Sequence, residues 1–321
     1  MYRGKTLAVV VPCYNEATQI HKVTGTMPEY VDHVIVVDDC STDGTAGVVA
    51  ELARSDSRIV LERHAVNQGV GGAIATGYRW ARDHGIDVAV VMAGDAQMDP
   101  ANMPALLDPV VEGRADYSKG NRLVTGEAFR TIPKVRYYGN AALSLATKIA
   151  SGYWNVSDSQ SGYTAIGLRA MQAIEWDDMY RRYGQPNDLL VRLNVANLRV
   201  VDVEVRPVYN VGEKSGIKIH RALFTIGWLV TRMFFWRLKE KYIIRDFHPL
   251  VFFYLFGVLM LLVSAAFLVR IALLWWQVGA APELSALAFM FAFSIGFNSI
   301  GFAMWFDFEA NRHLFGQRNR E

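Results

Sequence analysis

The sequence predicts an α/β domain, a mostly parallel sheet with helices on both faces, continued by interfacial helices and two transmembrane helices. Three observations predict it. Over the first 115 residues, short apolar β-rich runs alternate with helix-compatible stretches. Polar residues gather where those runs end, which is where parallel sheets bind ligands. Two long uncharged runs follow, 249–269 with 21 positions and 284–306 with 23. Each matches the roughly 20 residues that a helix needs to cross a bilayer core.

The elements follow in order. Thr6–Pro12 reads as a strand and Ala17–Met27 as the helix after it. Next come strand Val34–Val37, helix Thr45–Ala53, strand Ile59–Leu61, helix Gly72–Asp83 and strand Val88–Met92. Each strand is apolar throughout, as strands covered on both faces must be. Residues 116–210 are less regular, with a helix expected near Tyr138–Ala150 and a strand near Arg199–Val208. Segment 206–248 holds nine Lys and Arg against three Asp and Glu, interleaved with Phe224, Trp228, Phe234, Phe235 and Trp236. That pattern suits the membrane interface, and an ordinary amphipathic helix packed on the domain would share it. The expected organisation is an α/β domain over 1–215, a basic amphipathic juxtamembrane region over 216–247, and a two-helix anchor with a short tail over 248–321.

Composition narrows the function classes. The net charge is only +2, and 52% of residues are hydrophobic against 20% charged. This excludes a disordered chain and a strongly basic nucleic-acid binder, so no nucleic-acid partner is expected. Lys239, Lys241 and Arg245 precede the first uncharged run, and Arg312, Arg318 and Arg320 follow the second. The stretch Trp275–Glu283 between them has no Lys or Arg. The positive-inside rule then puts the α/β domain and both termini in the cytoplasm, on an inner (plasma) membrane crossed twice. Arg270, near the outer end of the first span, is the one dissenter and can snorkel. Thr6–Pro12 is too short an apolar run for a secretory signal, and Cys13 and Cys40 read as reduced thiols of a cytosolic domain.

A dinucleotide-binding domain would carry its glycine fingerprint directly after the first strand. This chain has Pro12-Cys-Tyr-Asn-Glu16 there, and Gly69, Gly71 and Gly72 come only after the third strand. No Walker P-loop is present, and the seven histidines lack metal-ligand spacing. What the chain does carry is six segments in a fixed order. They are Val11-Pro-Cys-Tyr-Asn-Glu16, Val37-Asp-Asp-Cys-Ser-Thr-Asp-Gly-Thr45, Asn67-Gln-Gly-Val-Gly-Gly-Ala73, Gly94-Asp-Ala-Gln-Met-Asp-Pro100, Lys119-Gly-Asn-Arg122 and Asp158-Ser-Gln-Ser-Gly-Tyr163. This series resembles the family 2 glycosyltransferases of GT-A fold, and within them the polyprenyl-phosphate sugar transferases, such as the dolichyl-phosphate mannosyltransferases and the two-span bacterial glucosyl enzymes.

The resemblance implies a Rossmann-like GT-A domain that moves a sugar from a nucleoside diphosphate to a polyprenyl phosphate, by direct displacement at the membrane. On the residues, Pro12, Tyr14, Glu16, Asp38, Asp39, Asn67, Gly94 and Asp95 form the expected nucleotide site. Tyr14 can stack on a base, and Glu16 with Asp38 or Asp39 can accept from base or ribose donors. The acidic pair could instead serve the next helix as a cap, with Ser41 and Asp43. Asn67 and its glycines shape a turn, either to bring backbone close to a ligand or for the turn alone. Asp95 and Gln97 match the family's metal motif, which implies Mg2+ or Mn2+, whereas Ala93 stands where the motif has its first Asp. Asp99 could compensate for it or simply start a turn.

Arg122, Arg136 and Asn140 are the expected lipid-phosphate ligands, arginine forks being suited to phosphate oxygens. Arg206, Lys214 and Lys218 could hold diphosphate or headgroups, or merely belong to the surface. Asp188 lies where many relatives have an acidic catalytic residue, and it also reads as the N-cap of a helix starting at Leu189. The catalytic set is thus Asp95, Arg122, Arg136 and Asp188, with Asp158 and Ser161-Gly162-Tyr163 shaping the acceptor or sugar pocket. Rival readings are a transferase with another lipid or polysaccharide acceptor, or a non-catalytic nucleotide-binding scaffold, the latter motivated by Ala93. Ser294, Gly296, Ser299 and Gly301 line the second span with small residues around Asn298, which allows homo-oligomers, and the resemblance suggests a tetramer.

Overall fold

The computed structural model describes residues 1–95, 97–123, 134–206, 219–280 and 282–317, with backbone alone over 134–137 and 219–223. It divides into two compact units, Met1–Phe235 with the chain from His313 onward, and Trp236–Arg312.

The first unit is built on strands β1 (Leu7–Cys13), β2 (His33–Asp38), β3 (Ile59–Arg63), β4 (Val88–Val91), β5 (Tyr117–Asn121), β6 (Thr164–Gly167) and β7 (Val200–Glu204). They form one sheet in the order β3-β2-β1-β4-β6-β5-β7. The β3-β2-β1-β4 half is parallel, with Val9 in register with both Val34 and Val90. β6 alone runs against its two neighbours, while β5 and β7 pair in parallel. The sheet is therefore mixed but mostly parallel.

Helices α1 (Ile20–Gly25), α2 (Thr45–Ser55), α3 (Val70–Asp83), α4 (Met103–Val111), α5 (Lys134–Ser151), α6 (Leu168–Ala173), α7 (Gln185–Val195) and α8 (Ile219–Lys239) complete the series. Successive residues of a strand point to opposite faces, and β1 shows why its run is continuously apolar. Ala8 and Val10 join a core with Ile35, Tyr78 and Leu190, while Leu7, Val9 and Val11 join another with Val36, Val49 and Leu106. At Gly77 helix α3 lies so close to the sheet that a Cβ would sit 2.2 Å from Val10 Cγ1.

Two differences from expectation have local causes. α1 begins at Ile20 and not at Ala17, because the Glu16 carbonyl accepts from Gln19 and Ile20 N–H and closes a turn first. Strand β5 reads Tyr-Ser-Lys-Gly-Asn, polar in sequence yet buried at every position, so its composition conceals a central strand.

In the second unit, a π-helical turn at Glu240–Arg245 precedes α9 (Leu250–Val278) and α10 (Glu283–Asn311). Both helices are long and apolar enough to cross a membrane. They outrun the uncharged stretches because the charges at their ends have partners. Arg270 Nε donates to Ser285 Oγ at 3.2 Å. Asp307 receives Arg237 on both oxygens, at 2.9 and 2.8 Å, and the Tyr242 hydroxyl at 2.6 Å.

Candidate active site

The carboxyl ends of β1 and β2 open onto a cleft of about 260 Å³. Its lining includes Pro12, Tyr14, Asp39, Asn67, Arg182 and Tyr183. Tyr14 and Tyr183 are exposed there, leaving two aromatic faces available to a base. The backbone after β1 is tied to side chains after β2 by three hydrogen bonds. Ser41 Oγ accepts from Asn15 N–H (2.9 Å), Thr45 Oγ1 from Glu16 N–H (2.9 Å), and Asp43 from Ala17 N–H (3.1 Å). Asn15 and Cys40 sit in the left-handed region in these turns, at φ 58° and 63°. Such conformations persist only where surrounding contacts hold them. Asp43 also accepts from Thr45 N–H at the start of α2, so the helix-serving role falls to Asp43, and Ser41 serves the β1 loop.

The two acidic residues after β2 differ in task. Asp38 is fully buried and closes its own turn by accepting from Ser41 N–H at 3.2 Å. Asp39 lines the cleft and holds the Asn67–Gly72 loop. Its oxygens accept from Gln68 N–H (2.8 Å), Gly69 N–H (2.7 Å) and His64 Nδ1 (2.7 Å), and its carbonyl accepts from Asn67 Nδ2 (3.1 Å). Gly69 takes φ +84°, and a Cβ there would fall 2.5 Å from the Arg181 carbonyl oxygen. The glycines thus allow a close approach, but of the Arg181 backbone to the loop, with Gly71 N–H donating to that carbonyl at 2.8 Å.

Beside the cleft, Gly94 packs against Cys13 and Glu16, close enough that a Cβ would lie 3.2 Å from Cys13 Cβ. Asp95 follows and accepts from Gln97 N–H at 3.1 Å. Burial raises the Glu16 carboxyl above its usual range, and Asp95 and Asp43 raise it further. Glu16 and Asp95 are therefore neighbours in like charge, an arrangement that a cation relieves. Among the described residues no group of three His, Cys, Asp or Glu could hold a metal. Two carboxylates suit a hard divalent ion that takes its remaining ligands from phosphate and water, and not one caged by protein alone. Asp99 does not supply the carboxylate missing at Ala93. It caps the turn Pro100–Asn102 by accepting from Ala101 N–H at 2.9 Å.

The Asp158–Tyr163 segment stitches the rest together. Asp158, fully buried, receives Arg122 Nε at 2.8 Å and Nη2 at 3.2 Å. Burial pushes the Asp158 carboxyl up, but Arg122 and then Lys119 outweigh it and hold the group below the usual carboxylate range. The Ser161 carbonyl accepts from Lys119 Nζ, and Tyr163 Oη donates to the Asp99 carbonyl at 3.0 Å. Gln160 Nε2 donates to Asn187 Oδ1 at 2.9 Å. Burial lowers the Lys119 ammonium to about 8 against the pull of Asp158 and Asp202. Sequence reasoning gave Lys119 no role of its own.

Asp188 is not an N-cap. α7 starts at Gln185, so Asp188 lies in its first turn, accepting from Tyr180 N–H at 2.8 Å and Arg192 Nε at 3.1 Å. It is 1% exposed, and burial raises its carboxyl despite Arg192. Asn140 is half-buried on α5, and Arg206 is exposed, its carbonyl accepting from Asn102 Nδ2 at 3.2 Å. The Arg136 side chain, Lys214 and Lys218 lie outside the described residues. On α8, Phe224, Trp228 and Phe235 are exposed while Ile226, Leu229, Val230 and Met233 are buried, giving the helix one aromatic outward face.

A cleft at the carboxyl edge of the parallel strands, with a carboxylate pair beside it, fits a GT-A glycosyltransferase domain. Residues 8–174, just over half of the chain, match the model of Glycosyl transferase family 2. The chain belongs to that family and is a glycosyltransferase. It is similar to the UDP-N-acetylglucosamine–dolichyl-phosphate N-acetylglucosaminyltransferase of Methanococcus voltae, 28% identical over 64% of this chain and 86% of that protein. It is also similar to the undecaprenyl-phosphate mannosyltransferase of Micrococcus luteus, 32% identical over 61% of this chain and 81% of that protein. With the polyprenol monophosphomannose synthase of Mycolicibacterium smegmatis it shares 29% identity over 68% of this chain and 84% of that protein. Among solved structures, glucosyl-3-phosphoglycerate synthase from Mycobacterium tuberculosis shares the fold, with a TM-score of 0.53 at 19% identity over 73% of this chain and 80% of that one.

Proposed function

We propose that this glycosyltransferase moves a sugar from a nucleoside diphosphate to a polyprenyl phosphate at the cytoplasmic face of the inner membrane. The observation that carries the reading is the presence, in one chain, of the Tyr14–Asp39 cleft and of two helices fit to cross a membrane. Three similar proteins named for polyprenyl or dolichyl phosphate acceptors support it.

In this reading the base lies on Tyr14, and the ribose meets the wall formed by Pro12, Asp39 and Asn67. Asp95, with Glu16 and Gln97 beside it, would hold Mg2+ or Mn2+ against the diphosphate. When bound, the ion supplies positive charge that offsets the charge growing on the leaving group. Arg122 and Arg136, with Asn140, receive the lipid phosphate, and Arg206, Lys214 and Lys218 attend the diphosphate or headgroups. An oxygen of the lipid phosphate attacks the anomeric carbon as the bond to the nucleoside diphosphate breaks, inverting that centre. The acceptor's second pKa is about 6, so it is mostly dianionic near neutrality and needs placement more than a base. Asp188, buried beneath Tyr180 and Arg192, acts here by fixing the wall that carries Arg182 and Tyr183. The aromatic face of α8 lies in the headgroup region, both termini are cytoplasmic, and copies associate through the Ser294, Asn298 and Gly301 face of α10.

The test is a donor screen. Purified protein in detergent receives polyprenyl phosphate, Mg2+ or Mn2+, and radiolabelled nucleotide sugars, followed by organic extraction. One donor should send label into the lipid phase, and unphosphorylated polyprenol should take none. Equal labelling of both lipids would reassign the acceptor, and no label from any donor would favour a scaffold.

A further inference from the structure

Behind the cleft, Asp39 ends a chain of hydrogen bonds that runs through His64 to Thr76. Its Oδ1 meets His64 Nδ1 at 2.7 Å, and an ionised carboxylate has no proton to give, so Nδ1 donates. His64 Nε2 lies 2.9 Å from Thr76 Oγ1, which also receives Arg79 Nη2 at 3.3 Å. Thr76 thus engages the ring nitrogen on the far side from Asp39, so both ring nitrogens of His64 have partners. His64 is 8% exposed and sits at the end of β3, outside every motif of the sequence.

The partners of Asp39 show what this chain controls. The same carboxylate accepts from the N–H groups of Gln68 and Gly69, and Asn67 donates to the Asp39 carbonyl. Asn67 and Gly69 line the cleft, together with Asp39 itself. A carboxylate rotates freely unless its oxygens are engaged on more than one side. Without His64, only the two loop amides would orient Asp39, and the loop and the carboxylate would drift together. We propose that His64, backed by Thr76, is a positioning residue of the donor site. It fixes Asp39 in the orientation that braces the Gln68–Gly69 turn, and so sets the shape of the nucleotide-facing wall.

The inference rests on reading the cleft as the nucleotide site, and its test separates the two. Calorimetric titration of the full chain with UDP and with GDP would be compared for wild type, His64→Leu, His64→Asn and Thr76→Val. Asparagine keeps a donor near the Nδ1 position and leucine does not. A hydrogen bond to a charged group is worth roughly tenfold in an equilibrium constant. His64→Leu should therefore weaken the diphosphate that wild type binds by about tenfold or more. Its donor KM should rise by the same factor, with kcat and the polyprenyl-phosphate KM within about threefold of wild type. His64→Asn should bind within about threefold of wild type. Thr76→Val should lose about threefold, and it carries the test alone should His64→Leu not fold. Equal losses for His64→Leu and His64→Asn, or a fall in kcat with both KM values changed, would overturn the positioning role. A wild-type chain that binds neither UDP nor GDP would overturn the nucleotide reading of the cleft and the inference with it.

Discussion

Arg122 and Asp158 form a two-point pair, with Nε at 2.8 Å from one carboxylate oxygen and Nη2 at 3.2 Å from the other. Asp158 is wholly buried, while the Arg122 side chain keeps 27% of its exposure. The expected phosphate ligand is therefore oriented from within by an acid 36 residues further along the chain. A guanidinium held this way presents its outer edge in a fixed direction, and fixed direction is what binding a phosphate requires.

Replacing Asp158 by Asn should cost about 3 kcal/mol of stability, at the low end for breaking a buried pair because Arg122 is partly solvated. Activity should fall at least about a hundredfold, since Arg122 loses its bearing. The pH dependence has a definite sign. The folded Asp158 carboxyl lies below its usual value, so its contribution is whole above about pH 3.9 and is lost as pH falls through the folded value. Wild type should thus lose stability more steeply than Asp158→Asn below about pH 4. Thermal unfolding of both proteins across an acid series measures it, and parallel curves would count against the pair.

At the carboxylate pair, Asp95→Asn should lower kcat/KM by about 10²- to 10³-fold, the scale for losing a group that stabilises growing charge. Ala93→Asp restores a carboxylate two positions before Asp95. It should reduce the Mn2+ concentration for half-maximal activity by about tenfold, because ligand charge sets the affinity of oxygen sites. A metal titration of sugar transfer checks both variants. Activity of wild type that is unchanged in chelator would mean that the reaction runs without the ion.

The parallel half of the fold was legible because β1, β4 and the Val34–Val37 centre of β2 are buried on both faces and have no polar residue to disguise them. Tyr14 and Asp39 were legible as well, since residues at the ends of such strands face the cleft. β5 was not, because the buried side chains of Ser118, Lys119 and Asn121 reach partners far away in sequence. Lys119 reaches the Ser161 carbonyl, and Asn121 reaches Asp202 at 2.8 Å. Local pattern cannot show a partner 81 positions away. His64 escaped for the same reason, as its value lies in joining Asp39 to Thr76 across three elements. The cap alternative for Asp188 fails because the helix is already under way from Gln185.

Lys119 gives a second pH signature, of the same sense but in an alkaline window. Its folded value is lowered to about 8 from 10.5 by burial. Between those values the unfolded chain holds a proton that the folded chain has released, so stability rises with pH across that window. Lys119→Met should lack the rise. The difference in melting temperature between the two proteins should grow in favour of wild type from about pH 8 to about pH 10.5. A difference that stays constant over that range would show Lys119 to be charged throughout.

The pair formed by Arg237 and Asp307 makes the sharpest stability prediction, because both side chains are at most 1% exposed. Asp307 also takes the Tyr242 hydroxyl at 2.6 Å and Asn311 Nδ2 at 2.9 Å, and Lys241 Nζ donates to Asn311 Oδ1 at 2.8 Å. Desolvating two charges costs several kcal/mol, which their attraction roughly returns. Removing one partner leaves the other charge buried, so Arg237→Met or Asp307→Leu alone should cost about 3–5 kcal/mol. The double variant removes both charges and should recover most of that loss, ending within about 1 kcal/mol of wild type once Tyr242 and Asn311 find new partners. A double-mutant cycle by thermal unfolding in detergent measures the coupling directly. Single variants as stable as wild type would mean that water reaches the pair, and an additive double variant would mean that the two charges do not act on each other.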